Sequence, residues 1–214
     1  MLKSLLKPIF ALCIEWPFMR FWLGLRIHQQ HNLPKQGPAI IVANHNSHMD
    51  VFALMGLYSP LQQNQIHPVA AADYFLSNKW LAWFAINILN IIPVTRQNGG
   101  QDNPLQGCEE ALRQNKILIL FPEGSRGEPG KMQPLKSGIW YLSAAMPTVP
   151  IIPVWLQGTE QIMAKGNRIP LPLFIDINIG SAMYYQPDKD QFKADLLNNL
   201  LALRPQYTKR DSDD

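Results

Sequence analysis

The chain has 214 residues, which suits one domain with a full-sized core; at 47% hydrophobic and 16% charged it is globular but poor in charge, so part of its surface suits contact with something other than water. A net charge of +3 and a pI near 8.9 fit acidic substrates or an anionic membrane surface and are too weak to argue for nucleic acid. Cys13 and Cys108 stand in no metal or redox spacing, which makes a reducing compartment the default, and no run of eighteen apolar residues is present to span a bilayer.

Residues 1–28 are rich in Leu, Phe and Trp, broken by Lys3, Lys7, Pro8, Glu15, Pro17, Arg20 and Arg26. Glu15 interrupts the apolar part and no small-residue cleavage site follows, which argues against a signal peptide. The segment suits one or two short helices, either packed on the core or lying in a membrane interface. In the second arrangement Trp16 and Trp22 sit at headgroup depth and the basic residues face anionic lipid. Residues 34–38 (Pro-Lys-Gln-Gly-Pro) then turn into the apolar run Ala39-Ile40-Ile41-Val42-Ala43, which reads as a buried strand. A helical pattern covers Val51 to Tyr58. Pro68 to Ala72 reads as a second buried strand, with His67 at its start in a structural role. Lys79 to Leu89 is apolar nearly all round and too short to span, which reads as either a buried helix or one dipping into lipid, with Trp80, Trp83 and Phe84 favouring lipid or an acyl chain.

Ile91 to Arg96 predicts a short strand ending on arginine, followed by the loop Gln97-Asn98-Gly99-Gly100. Asn103 as N-cap and Pro104 at the first helical position open a helix running to about Gln114. Lys116 to Phe121 is the strongest strand pattern of the chain. Leu135-Lys136-Ser137-Gly138 opens a helix that stops near Pro147, and Val149 to Leu156 is another apolar strand, ending at Gln157-Gly158. Leu173 to Gly180 alternates and predicts an edge strand; Pro187 to Leu203 predicts an amphipathic terminal helix before a charged tail. Strands alternating with helices predict a single α/β domain, with a largely parallel mixed sheet flanked by helices.

Functional groups in such sheets gather beyond the carboxyl ends of the strands. His45, Arg96, Glu123, Arg126 and Gly158 all follow apolar strand runs. In Asn44-His45-Asn46-Ser47-His48-Met49-Asp50 a histidine at a strand end is followed five residues later by an aspartate entering a helix. That spacing can put carboxylate against imidazole, fixing the tautomer and leaving the other nitrogen to take a proton from a hydroxyl. Two other readings stand beside it. Ser47 and Asp50 fit a capping box, and His45, His48 and Asp50 have the donor chemistry of metal ligands, as in a metal-dependent hydrolase. Arg96 and Arg126 offer planar forks suited to phosphate, with Lys136 a third charge. Gly124 lets backbone approach a ligand closely, and Glu123 could orient a substrate hydroxyl or pin an arginine. The absence of a Gly-x-Ser-x-Gly elbow disfavours a serine hydrolase.

These residues resemble the glycerolipid acyltransferases related to 1-acylglycerol-3-phosphate acyltransferase, over about residues 37–180. Asn44 to Asp50 is similar to the first block of that family, Ile92-Pro93-Val94-Thr95-Arg96 to the second, and Phe121-Pro122-Glu123-Gly124-Ser125-Arg126 to the third, with serine where threonine is usual. Val149-Pro150-Ile151-Ile152-Pro153-Val154 is similar to the fourth, and Leu135-Lys136-Ser137-Gly138 resembles the lysine-glycine element before it.

The resemblance implies a glycerolphosphate acyltransferase-like fold, with residues 1–36 as a membrane-interface segment and 37–214 as the acyltransferase domain. It implies transfer of a fatty acyl group from acyl-CoA or acyl carrier protein to a lysophospholipid hydroxyl, with 1-acylglycerol-3-phosphate as the default acceptor. Lyso-ornithine lipid or another lysophospholipid is the alternative, because residues 127–134 depart from the commoner loop. His45 would be the base and Asp50 its orienting partner. Arg96, Glu123, Gly124, Ser125 and Arg126 would hold the acceptor, with Lys136 assisting, and His48 falls at a variable position, as helix surface or acceptor-site lining. No metal or cofactor is expected beyond the thioester substrate. Because residues 1–36 are short and interrupted as an anchor, peripheral attachment to the cytoplasmic face of a membrane is expected.

Overall fold

The computed structural model describes residues 2–75, 78–95, 103–128, 131–162 and 174–205. A helix, α1 (Leu2–Phe10), passes into π-helical turns at Ala11–Glu15 and Phe18–Trp22. Then come β1 (Gly24–His28), β2 (Ala39–Ala43), α2 (Met49–Met55), β3 (Ile66–Ala71), α3 (Ala72–Phe75), α4 (Lys79–Asn87), β4 (Ile92–Val94) and α5 (Gln106–Arg113). The chain continues through β5 (Ile117–Leu120), α6 (Gly138–Ala145), β6 (Ile151–Gln157), α7 (Thr159–Ile162), β7 (Phe174–Ile179) and α8 (Lys189–Ala202). The strands form one seven-stranded sheet in the order β1-β7-β6-β2-β5-β3-β4, parallel throughout except where β6 meets β7.

Helices cover both faces of this sheet, which is why its central strands are apolar runs rather than alternating ones. In β2 the pleat sends Ile41 into one core with Ile119 of β5 and Ala53 and Leu54 of α2; Ile40 and Val42 enter the other with Leu118, Leu112 of α5, Leu142 of α6 and Phe192 of α8. Each such buried Ile, Leu or Phe contributes about 1.5–3 kcal/mol relative to exposure.

Three expectations change. The alternation in β7 comes from one solvent-facing side, Ile175, Ile177 and Ile179 being buried, and the strand is not at the edge. On that side the edge strand is β1, whose Gly24–His28 pairs in parallel with Phe174–Asn178. Residues 24–28 are therefore part of the sheet and not of the N-terminal helices, so the sheet reaches across the boundary expected at 36. Leu25 and Ile27 alternate with Arg26 and His28, but five residues at the end of a long apolar stretch carry too little period to stand out. Helix α5 starts at Gln106: the Asn103 side chain accepts from Leu105 N–H at 3.0 Å in the turn leading in, so it caps that turn. Of the two arrangements open for the N-terminal basic residues, Lys7 takes the packed one: it is buried and donates through Nζ to the Ile66 carbonyl oxygen at 2.8 Å.

The N-terminal helix meets α4 through an edge-on contact of Phe10 with Phe84. Both present apolar side chains outward: Ile9, Leu12, Ile14, Phe21 and Trp22 on one, Trp80, Leu81, Trp83 and Ile86 on the other, with Trp80 85% exposed. Among the described residues no helix is long and apolar enough to cross a membrane. His67 hydrogen-bonds through Nδ1 to the Asn90 carbonyl oxygen, and burial lowers its pKa to about 4, a structural and neutral imidazole. Cys108 is buried and its thiol is pushed up to about 12 by that burial, which leaves it inert.

Candidate active site

Strand β2 ends at Ala43, and Asn44 extends it with its side chain. The Asn44 amide donates to Leu156 O at 2.9 Å and its oxygen accepts from Leu156 N–H at 2.7 Å. A side chain thus continues the ladder to β6 where the backbone turns away, and fixes where the next residue points. That residue is His45. The sequence carries one signal for this brace, an asparagine directly after five apolar residues.

The Asp50 carboxylate is wholly buried at the start of α2, and its Oδ2 gathers three donors: Nδ1 of His45 at 2.9 Å, Asn46 N–H at 2.7 Å and Ser47 N–H at 2.8 Å. With Oδ2 accepting from all three, the ring carries its proton on Nδ1 and turns Nε2 outward as the basic nitrogen. One Asp50 oxygen both closes the helix start and braces the imidazole. The box is half formed: Ser47 Oγ accepts from Met49 N–H at 3.2 Å, not from Asp50. Phe121 stacks on the His45 ring with centroids 4.1 Å apart, which holds the ring plane.

The loop after β5 is tied to the same histidine. Glu123 is wholly buried; one oxygen accepts from His45 N–H at 2.9 Å and the other from Gln133 N–H at 2.8 Å, while Gly127 N–H donates to His45 O at 2.9 Å. The carboxyl therefore faces backbone, neither an arginine nor solvent. Burial holds its pKa above the usual carboxylate range, against the pull of the two backbone donors. Gly124 has φ +73°, a conformation a side chain would strain, and an added Cβ would sit 3.3 Å from Cγ of Lys136. Ser125 donates through Oγ to the Gln133 side chain at 3.3 Å. Gln133 is the residue that motif reading passed over, since nothing in its neighbours marks it as the far anchor of Glu123.

Arg126 and Lys136 are exposed on this rim, and the Arg126 guanidinium meets Nε2 of His48. Burial and the Arg126 charge keep the His48 pKa below its ordinary value. His48 therefore faces Arg126 and His45 faces Asp50, so His45, His48 and Asp50 do not converge as a ligand set; among the described residues no three His, Cys, Asp or Glu side chains are grouped to hold a metal ion. Arg96 lies outside the described residues. Two open cavities, one of about 410 Å³ beside Arg26, His28 and Arg204 and one of about 480 Å³ beside His31, Lys35 and Tyr58, contain none of these groups.

A mostly parallel α/β sheet carries an aspartate-braced histidine and a cationic rim beyond its strand ends, where functional groups gather in such sheets. The family model described as Acyltransferase matches residues 24–157, and the chain belongs to that family. The chain is 29% identical over 142 residues to the 1-acyl-sn-glycerol-3-phosphate acyltransferase BAT2, chloroplastic, of Brassica napus, covering 64% of this chain and 38% of that protein. It is 28% identical over 153 residues to 1-acyl-sn-glycerol-3-phosphate acyltransferase alpha of Mus musculus, covering 70% of this chain and 51% of that one. The chain thus spans between a third and about half of the length of these relatives. In fold it matches the 1-acyl-sn-glycerophosphate (LPA) acyltransferase PlsC of Thermotoga maritima, with a TM-score of 0.68 at 21% identity over 86% of this chain and 72% of that one.

Proposed function

We propose that the protein transfers a fatty acyl group from an acyl thioester, on coenzyme A or acyl carrier protein, to the free hydroxyl of 1-acylglycerol-3-phosphate, giving phosphatidic acid. The observation that carries this reading is the 2.9 Å bond between Nδ1 of His45 and Asp50, which leaves Nε2 to act on an alcohol beside the Arg126 and Lys136 charges.

In the step, Nε2 of His45 takes the hydroxyl proton as the acceptor oxygen attacks the thioester carbonyl. The new O–C bond forms, the C–S bond breaks, and the proton passes from imidazolium to the leaving thiolate. A thioester is already activated, so proton removal, typically worth about 10²–10⁴-fold, and positioning are what the protein has to supply. The buried Asp50 carboxylate steadies the transient imidazolium. Arg126 and Lys136, with Arg96, grip the phosphate of the acceptor. The apolar surface shared by the N-terminal helix and α4 rests on the membrane that holds both lipids, at the cytoplasmic face where the thioester donors are dissolved.

The test is a panel of lysolipids, including a lyso-ornithine lipid, incubated with labelled acyl-CoA and acyl carrier protein donors and read by product mass. Wild-type protein acylates 1-acylglycerol-3-phosphate, and His45→Ala loses the reaction with an unchanged melting curve. Full activity in that variant overturns the assignment of the base.

A further inference from the structure

The contact between His48 and Arg126 joins two loops 78 residues apart, and the chemistry above makes no use of it. A guanidinium has donors only, so Nε2 of His48 accepts and the ring is neutral, with its proton on Nδ1. The charged and titratable groups acting on this imidazole are Arg126, His45 and Asp50; burial first, then the Arg126 charge and the His45 ring, favour the neutral form, Asp50 opposing. A carboxylate at position 48 would orient the same guanidinium more strongly and subtract its charge. A neutral acceptor orients the fork and subtracts nothing.

We propose that His48 is a positioning residue that sets preference for acceptors ending in a phosphate monoester, by aiming the Arg126 guanidinium without contributing negative charge to the site. This rests on the reading of the site as one for a phosphate-bearing lysolipid. A dianionic monoester gains most from an undiminished cation, and a phosphodiester headgroup with one negative charge gains less. The residue next to the catalytic pair thereby sets the electrostatics of the acceptor subsite while touching neither reacting atom.

The experiment compares wild type with His48→Gln, His48→Ala and His48→Glu, using 1-acylglycerol-3-phosphate and a lysophosphatidylcholine as acceptors, with a melting curve for each variant. His48→Ala raises the KM for the monoester about tenfold, more than it changes kcat, because a hydrogen bond to a charged group is lost. His48→Gln, a neutral acceptor whose oxygen reaches as far as Nε2, recovers most of that affinity. His48→Glu is the weakest of the three on the monoester and lowers the monoester-to-diester ratio of kcat/KM furthest. A role confined to holding the two loops together predicts the opposite order, with Glu at least as good as Gln, and that order overturns the proposal. So does an unchanged monoester KM in folded His48→Ala. A wild-type enzyme that acylates only phosphate-free acceptors overturns the reading of the site and this inference with it, whereas wild-type monoester turnover matched by His48→Ala overturns this inference alone.

Discussion

The backbone N–H of His45 donates to the buried Glu123 carboxylate at 2.9 Å, so this histidine is held at its main chain by a residue from another strand end. The second oxygen of the same carboxylate takes Gln133 N–H, which makes Glu123 the tie between the β2 loop, the β5 loop and the segment leading to α6. Its place in the third block suggested substrate contact; its geometry makes it a support for the imidazole.

Glu123→Gln keeps one acceptor and turns an amide NH₂ towards the other backbone N–H. Loss of that bond in a buried site costs about 1–3 kcal/mol. The expected outcome is a lower melting temperature and a kcat reduced about 10- to 100-fold, with the acceptor KM moving far less, because the base is displaced and the rim is not. Thermal melts and steady-state kinetics check it together; a raised KM at wild-type kcat and stability would place Glu123 on the substrate instead.

Asp50 separates orientation from charge. Its Oδ1 is buried with no hydrogen-bond partner among the described residues, and Oδ2 takes all three donors. Asp50→Asn can therefore keep its oxygen where the donors converge and put the amide nitrogen where Oδ1 now stands alone. The fold is expected to lose no more than about 1–2 kcal/mol. Acyl transfer is expected to fall about 10²–10⁴-fold, since an amide does not stabilise an imidazolium. Asp50→Ala loses the helix start as well and melts lower than Asp50→Asn. Equal activity of Asp50→Asn and wild type counts against the braced base.

Much of this was legible in the chain, for identifiable reasons. Ala39–Ala43, Ile117–Leu120 and Ile151–Gln157 are sandwiched between helices, so their pattern is a continuous apolar run with no competing reading. His45 and Asp50 are five residues apart, and local geometry alone brings them together. What needed coordinates depends on distant partners. The Glu123 carboxyl is committed to groups 78 and 10 residues away, and the inward turn of Lys7 is set by the Ile66 carbonyl, 59 residues on. The start of α2 at Met49, two residues before the apolar pattern begins, follows from Asp50 gathering the loop N–H groups, a contact that periodicity does not encode.

The outward aromatics of α4 give a test of membrane contact that leaves the fold alone. Trp80 is 85% exposed, so changing it to serine removes little native packing. The expected outcome is unchanged melting and binding to vesicles containing anionic lipid weakened about tenfold, from the apolar area no longer placed in the interface. Cosedimentation checks it, and undiminished binding of the variant would move the membrane contact elsewhere on the protein.

Lys7 and Glu15 give the N-terminal segment a pH dependence whose sign can be worked out. Glu15 is buried, both its oxygens lack hydrogen-bond partners among the described residues, and burial raises its pKa from 4.5 to about 7, the Lys7 charge opposing. Between those values the folded chain holds a proton that the unfolded chain has released. Its contribution to stability is thus fully present below about 4.5 and lost as pH rises through about 7. Lys7 runs the other way. Burial lowers its pKa from 10.5 to about 7, so the unfolded chain binds the extra proton between those values and stability climbs with pH across that window. Together they predict a stability minimum near neutrality, with a fall on the acid side on the order of 2 kcal/mol. Glu15→Gln abolishes the fall between about pH 4.5 and 7 and keeps the alkaline rise, while Lys7→Met does the reverse. Melting temperatures of the three proteins from pH 4.5 to 10 check both limbs, and a wild-type profile that Glu15→Gln leaves unaltered would mean that Glu15 is solvated in the folded protein.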